Sequence, residues 1–192
     1  MKFDSSLSWD PHITSICSKV YSVLHPLRRF KNLLPVNIKS QLVQSLIFPI
    51  VDYCDTVYAS INDGQSTRLQ RVFNNCIRYI FNTNRRQHIT PLLQQLSWLP
   101  LSSRRTLHSH VLLHKLIYNP EAPQYLKSKI KLLHSNRNGP LLTVPLHKTD
   151  YYGRTYFINK VISWNQLPRE IRTTTSLSTF KRMVHQHLLI NI

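Results

Sequence analysis

The chain is poor in glycine, cysteine and acid, and each shortage removes a class of function. Three Gly in 192 residues leave no Gly-x-x-x-x-Gly-Lys-Ser/Thr loop, no Gly-x-Gly-x-x-Gly and no Gly-x-Ser-x-Gly elbow. Nucleotide loops and the α/β-hydrolase nucleophile need those glycines for tight turns and close backbone approach. Cys17, Cys54 and Cys76 are odd in number and widely spaced, with no Cys-x-x-Cys. That pattern fits a reducing, intracellular compartment and neither a disulfide framework nor a zinc knuckle. The longest apolar stretch of interest to a membrane, Leu46 to Val51, is far short of the roughly 20 residues a spanning helix needs. Met1 to Trp9 holds one Lys and no apolar run of the secretory kind.

Acid is the scarcest charge. Lys and Arg total 25 against 8 Asp and Glu, a formal +17. Such an excess favours polyanions, nucleic acid before anionic membrane. An apolar fraction of 42% is that of a globular protein. The length allows one domain or two small ones, burying about 70% of the surface exposed when unfolded.

The patterning is helical. Asp10-Pro11 reads as a helix start, with Ile13, Ile16, Cys17, Val20, Leu24 and Leu27 on one face and Pro26 kinking or ending it. Pro35 opens a second helix through Ile38, Leu42, Val43 and Leu46. Pro49 interrupts, and Asp52 to Tyr58 continues as short helix or turn. Asn62-Asp63-Gly64 is turn chemistry, and Ser66 opens the clearest helix, carrying Leu69, Val72, Phe73, Cys76, Ile77 and Ile80 in one stripe. Pro91 to Trp98, Leu101 to Tyr118 and Pro123 to Leu133 follow as helices. Ser135 to Pro140 reads as a linker and Leu141 to Leu146 as an extended edge. Arg154 to Trp164 is helical with Phe157, Val161 and Ile162 inward, and Ser176 caps a last helix through Phe180, Val184 and Leu188. The expected class is mainly α: a bundle of about six to eight helices, with a short extended segment near 141–156. The expected division is 1–62, 63–135 and 136–192.

From Gly64 to Pro120 no acidic residue occurs, while Arg68, Arg71, Arg78, Arg85, Arg86, Arg104, Arg105 and Lys115 all fall there. At about 100° per residue, Arg68, Arg71 and Arg78 lie opposite the apolar stripe, with Arg71 and Arg78 roughly 10 Å apart along one face. An ordinary solvated face would interleave both signs. An arginine-only face suits a phosphate backbone. The seven arginines are therefore the candidate nucleic-acid contacts.

Bond-making groups are weaker candidates. Asp52 and Asp55 could share a helix face, but a lone acidic pair more often caps a helix or offsets positive field. His108, His110 and His114 give His-x-His-x-x-x-His, yet Val111 stands where a zinc-protease helix has glutamate, and packed imidazoles are the simpler account. Trp98, Trp164 and the tyrosines could stack bases, though beside Leu and Ile they read as core.

Three stretches, taken in order, point to a family. The first is Leu7-Ser8-Trp9-Asp10-Pro11-His12-Ile13 with Pro49-Ile50-Val51-Asp52-Tyr53-Cys54 and Val57-Tyr58. The second is Leu69-Gln70-Arg71 and Ile77-Arg78-Tyr79-Ile80, then Thr90-Pro91-Leu92-Leu93, Leu96-Ser97-Trp98-Leu99-Pro100-Leu101 and Ala122-Pro123-Gln124-Tyr125-Leu126. The third is Gly153-Arg154, Trp164-Asn165-Gln166-Leu167-Pro168-Arg169-Glu170-Ile171-Arg172, Ser176 and Phe180-Lys181. The ordered set resembles the C-terminal part of the reverse transcriptase of jockey-like non-LTR (LINE-type) retrotransposons.

The resemblance implies a polymerase thumb with a helical C-terminal extension, and Phe3-Asp4 with Leu7 to Trp9 as a strand remnant leading in from the palm. It implies a template–primer partner, RNA or RNA–DNA hybrid, held without reading sequence, and the palm as a second partner. The family's catalytic aspartates and their Mg²⁺ belong to that palm. No Asp-Asp pair occurs here, and Tyr53-Cys54-Asp55 is followed by Thr56. Two-metal transfer needs adjacent carboxylates, so the chain is expected to be non-catalytic alone and to need no cofactor. The Trp164, Asn165, Leu167 and Pro168 motif is expected to be structural, Trp164 anchoring a turn and Pro168 stopping a helix. A helical protein-interaction scaffold and a transposon remnant without selected function are the alternatives.

Overall fold

A computed structural model describes residues 2, 4–5, 8–58, 61–135, 139–146, 148–149 and 156–190. The fold is mainly helical. Six helices run to ten residues or more: α1 (Asp10–Arg29), α2 (Val36–Leu46), α4 (Asp63–Phe81), α6 (Leu101–Tyr118), α8 (Tyr156–Asn165) and α10 (Leu177–Ile190). Between them lie α3 (Phe48–Asp52), α5 (Thr90–Leu96), α7 (Gln124–Lys127) and α9 (Arg169–Arg172). A two-strand antiparallel hairpin joins β1 (Leu132–Ser135) to β2 (Gly139–Leu142), with Leu132 opposite Leu142.

The chain forms two compact units, Met1–Ser102 and Ser103–Ile192. This division does not coincide with boundaries at 62 and 135. The reason is α4: its stripe shares one core with α1, so 63–81 cannot be separated from the segment before it.

In the first unit α1 packs on α4, and α2, α3 and α5 close round them. Ile13, Val20 and Leu24 of α1 meet Phe73, Ile77 and Ile80 of α4 in that core, with Trp98 stacked 6.2 Å from Phe73. Pro26 does not end α1. It is exposed and the helix runs on to Arg29. α4 begins earlier than Ser66. Asn62 is its N-cap, with Oδ1 accepting from the Gln65 amide at 2.8 Å and Gln65 Oε1 accepting from the Asn62 amide at 3.2 Å. Gln65 Nε2 then donates to Asp10 at 2.9 Å, pinning the start of α4 to the start of α1. Replacing Asn62 by alanine removes one half of this reciprocal cap. It should cost about 1 kcal/mol in denaturant titration, whereas Asn62→Asp should cost far less.

The inward face of α2 departs from the apolar pattern. Lys39 and Val43 are its buried residues, whereas Ile38 and Leu46 are exposed. The Lys39 ammonium donates to the Lys31 carbonyl and to Asn82 Oδ1, both at 3.2 Å, and lies 5.7 Å from the Tyr79 ring centre. Burial lowers its pKa from the ordinary lysine value. A charged side chain can enter because its donors are met by the two oxygens.

In the second unit α8 and α9 pack on β2, and Leu113, Leu142, Val161, Trp164, Phe180 and Val184 form the core. Leu132–Ser135 is a strand and not the end of a helix over 123–133; only Gln124–Lys127 is helical there. Ile162 is 40% exposed and does not face inward with Val161. Near 141–156, among the described residues, regular strand is found only in the Gly139–Leu142 segment. Of the segment expected to be a strand remnant, Asp4, Ser8 and Trp9 are not in a strand, while Phe3 and Leu7 fall outside the described residues, as does Gly153-Arg154.

Candidate nucleic-acid interface

α4 presents its arginines on the side away from its core. The buried stripe of Leu69, Val72, Phe73, Cys76, Ile77 and Ile80 fixes the helix rotation, so Arg68 and Arg71 are exposed and Arg78 is half-buried. The offset of seven residues places Arg71 and Arg78 about 10 Å apart along the axis. That distance spans about three base-pair rises of a nucleic-acid strand.

Each end of this face has its own cavity. Arg71 lines a shallow cavity of about 290 Å³ with Ser66, Gln70 and Asn74. Arg78 lines a larger one of about 710 Å³ together with Arg85, Arg28 and Lys31. This convergence joins the last turn of α1 to the last turn of α4. Asn82 ends α4 in a left-handed conformation, φ 54°, and its backbone amide donates to the Arg78 carbonyl. The Thr83 amide donates to the same carbonyl at 3.1 Å, turning the chain back. Arg78 Nη2 reaches the Arg85 carbonyl at 3.4 Å and keeps that turn close. Asn82 Nδ2 donates to the Lys31 carbonyl at 3.2 Å, tying the end of α4 to the end of α1.

The seven candidate arginines are not one array. Arg68, Arg71, Arg78, Arg85 and Arg86 belong to the first unit, with Arg85 and Arg86 exposed in the turn after α4. Arg104 and Arg105 stand on α6 in the second unit. Arg105 is 7% exposed, so it is a correction to the set: it packs inward and offers no surface charge. A map of charge along the chain does not show which side of α6 a cation takes. Arg28 and Lys31 were missed for the opposite reason. They lie far from Arg78 in sequence, and basic residues at a helix C-terminus read as partners of its dipole.

The other chemical candidates differ in burial and bonding. Asp55 is 3% exposed in the turns after α3 and Asp52 is half-buried at its end. His114 Nε2 donates to the Thr174 carbonyl at 2.8 Å, and burial lowers its pKa. His110 Nε2 lies 3.0 Å from Ser163 Oγ, while its Nδ1 is buried without a partner among the described residues. A hydrolytic triad would need an acid at that second nitrogen. Burial first, then the charges of Lys160 and His187, depress the His110 pKa to about 4. Trp98 and Trp164 are both buried.

The Trp164 to Pro168 motif binds the hairpin. Trp164 Nε1 donates to the Pro140 carbonyl at 3.2 Å. Asn165 accepts from the Leu142 amide at 2.9 Å and donates to the Leu142 carbonyl at 2.8 Å. Leu167 is buried and its carbonyl accepts from Arg172 Nε at 2.9 Å. α8 ends at Asn165, and Pro168 is the residue preceding α9.

Comparison with family models, with curated proteins and with solved structures finds no match.

Proposed function

We propose that this chain is a thumb-like nucleic-acid grip of the jockey-like non-LTR reverse-transcriptase type. It holds a template–primer duplex through backbone phosphates and leaves bond-making to a palm. The observation that carries the reading is the outward face of α4. Arg68 and Arg71 stand exposed, Arg78 lies in line with Arg71, and the sequence has no acid from Gly64 to Pro120. Guanidinium forks match phosphate oxygens two at a time, and contacts to phosphate carry no base information.

The adjacent Asp-Asp pair that holds Mg²⁺ in that family does not occur in this sequence. Asp52 and Asp55 are not adjacent, and Asp55 is buried. A second reading, a scaffold for a protein partner, draws on the exposed Phe30 and Leu33 between α1 and α2 and Val36 at the start of α2.

Salt titration separates the two. For an RNA–DNA hybrid, the slope of log K against log salt should be steep and nearly independent of sequence. The combined R68A/R71A/R78A chain should lose about 2 to 3 from that slope, one phosphate per arginine. R105A should lower thermal stability and leave the slope alone. An unchanged slope in the triple variant, with its helical circular dichroism intact, removes the assigned face and leaves the scaffold.

A further inference from the structure

The cavity at the ends of α1 and α4 holds more positive charge than its helices require. Arg28, Lys31, Arg78 and Arg85 line it, and no acidic residue does among the described residues. Two helix C-termini meet there, each equivalent to roughly half a negative charge. Lys39, hydrogen-bonded to the Lys31 carbonyl and Asn82 at this junction, offsets about that much alone. Four cations are left over.

Unmet hydrogen-bonding groups collect at the same place. Arg78 Nε, Tyr79 OH and Thr83 Oγ1 are buried with no partner among the described residues, and all three residues line this cavity. Tyr79 is itself only 4% exposed. A buried polar group left unpaired costs about 1–3 kcal/mol, and three of them gather in residues that wall this one cavity.

We propose that this cavity is a phosphomonoester site that takes the 5′-phosphate of a nucleotide, free or at the end of a strand. A monoester carries a charge of about −1.5 to −2 and three acceptor oxygens, which suits the four cations that line the cavity. A diester within a strand carries a single charge and has chain on both sides. The volume of about 710 Å³ exceeds what phosphate alone would fill. It falls in the range of small-ligand sites, about 300–1,000 Å³. Tyr21, exposed and lining the cavity, offers a ring on which a base can stack. The site lies apart from the exposed Arg68 and Arg71 of the duplex grip, which holds the middle of a strand, and shares Arg78 and the candidate contact Arg85 with it.

The test is fluorescence anisotropy of the full chain with a 3′-labelled trinucleotide, 5′-phosphorylated or 5′-hydroxyl. The phosphorylated form should bind about 10-fold more tightly or better, the strength of a charge-assisted contact set. R28A and R85A change exposed residues and should each cut that ratio several-fold. R71A should leave it unchanged. Competition by adenosine 5′-monophosphate, with inorganic phosphate far weaker, assigns the site to nucleotides. Equal competition by inorganic phosphate overturns that assignment. A ratio near one for the two trinucleotides overturns the site itself. A blunt duplex with 5′-hydroxyl ends, run alongside, keeps the questions apart. Duplex binding with a ratio of one retains the grip and removes the cavity, and a high ratio without duplex binding does the reverse.

Discussion

Trp164→Ala should be the most damaging single substitution in the second unit, at about 3–5 kcal/mol. The side chain is fully buried and stacks 5.5 Å from Phe180. Its removal opens a cavity in a core that also holds Leu113, Leu142 and Val184. The loss goes beyond packing, because the indole N–H is one of two donors on the Pro140 carbonyl, the other being Arg172 Nη1 at 3.2 Å. Trp164→Phe keeps most of the volume and gives up that bond, so it should cost roughly a third as much. Thermal unfolding followed by circular dichroism reads both. At about 2–4 °C per kcal/mol for a chain of this size, the alanine variant should melt about 10 °C lower. A shift of one or two degrees would show that the hairpin and α8 are held by something other than this residue.

Acid should loosen the same unit through His110. The imidazole is 1% exposed and its pKa is depressed to about 4 by burial, with Lys160 and His187 adding to the effect. The unfolded chain takes up that proton near pH 6.5, the folded chain only near 4. Below pH 6.5 the unfolded state therefore binds more protons, and stability falls with pH. The contribution is whole above pH 6.5 and lost as pH passes through about 4, a total of about 3 kcal/mol. His114, also shifted down by burial, works in the same direction. Urea titrations from pH 7 to pH 4 check this. The H110Q chain should lose clearly less stability over that span than the unaltered one. Parallel losses in both would place the acid sensitivity elsewhere.

The helical class and the register of α4 were legible in the sequence because an apolar stripe at a period near 3.6 can only be buried along one side of a helix. The inward turn of Lys39 was not, since an ammonium reads as solvent-facing until its two oxygen partners, Lys31 and Asn82, are seen. β1 was misread because Leu126, Ile130 and Leu133 recur at helical spacing, and a strand of four residues has too little pattern to compete. For the candidate site, charge order along the chain marked Arg68, Arg71 and Arg78 but could not distinguish exposed Arg71 from buried Arg105. The cavity depends on Arg28 and Lys31 approaching Arg78 across about fifty residues of chain, a distance that only tertiary packing closes.

Asn165 has an effect reaching past the unit that holds it. Its amide occupies both backbone groups of Leu142 that face away from β1, acting as a one-residue substitute for a third strand. An open rung of that kind is where another molecule's extended segment would add on. With it taken, β2 gives a neighbouring copy no continuous ladder to lengthen, and a highly cationic chain is spared one route to fibrous self-association.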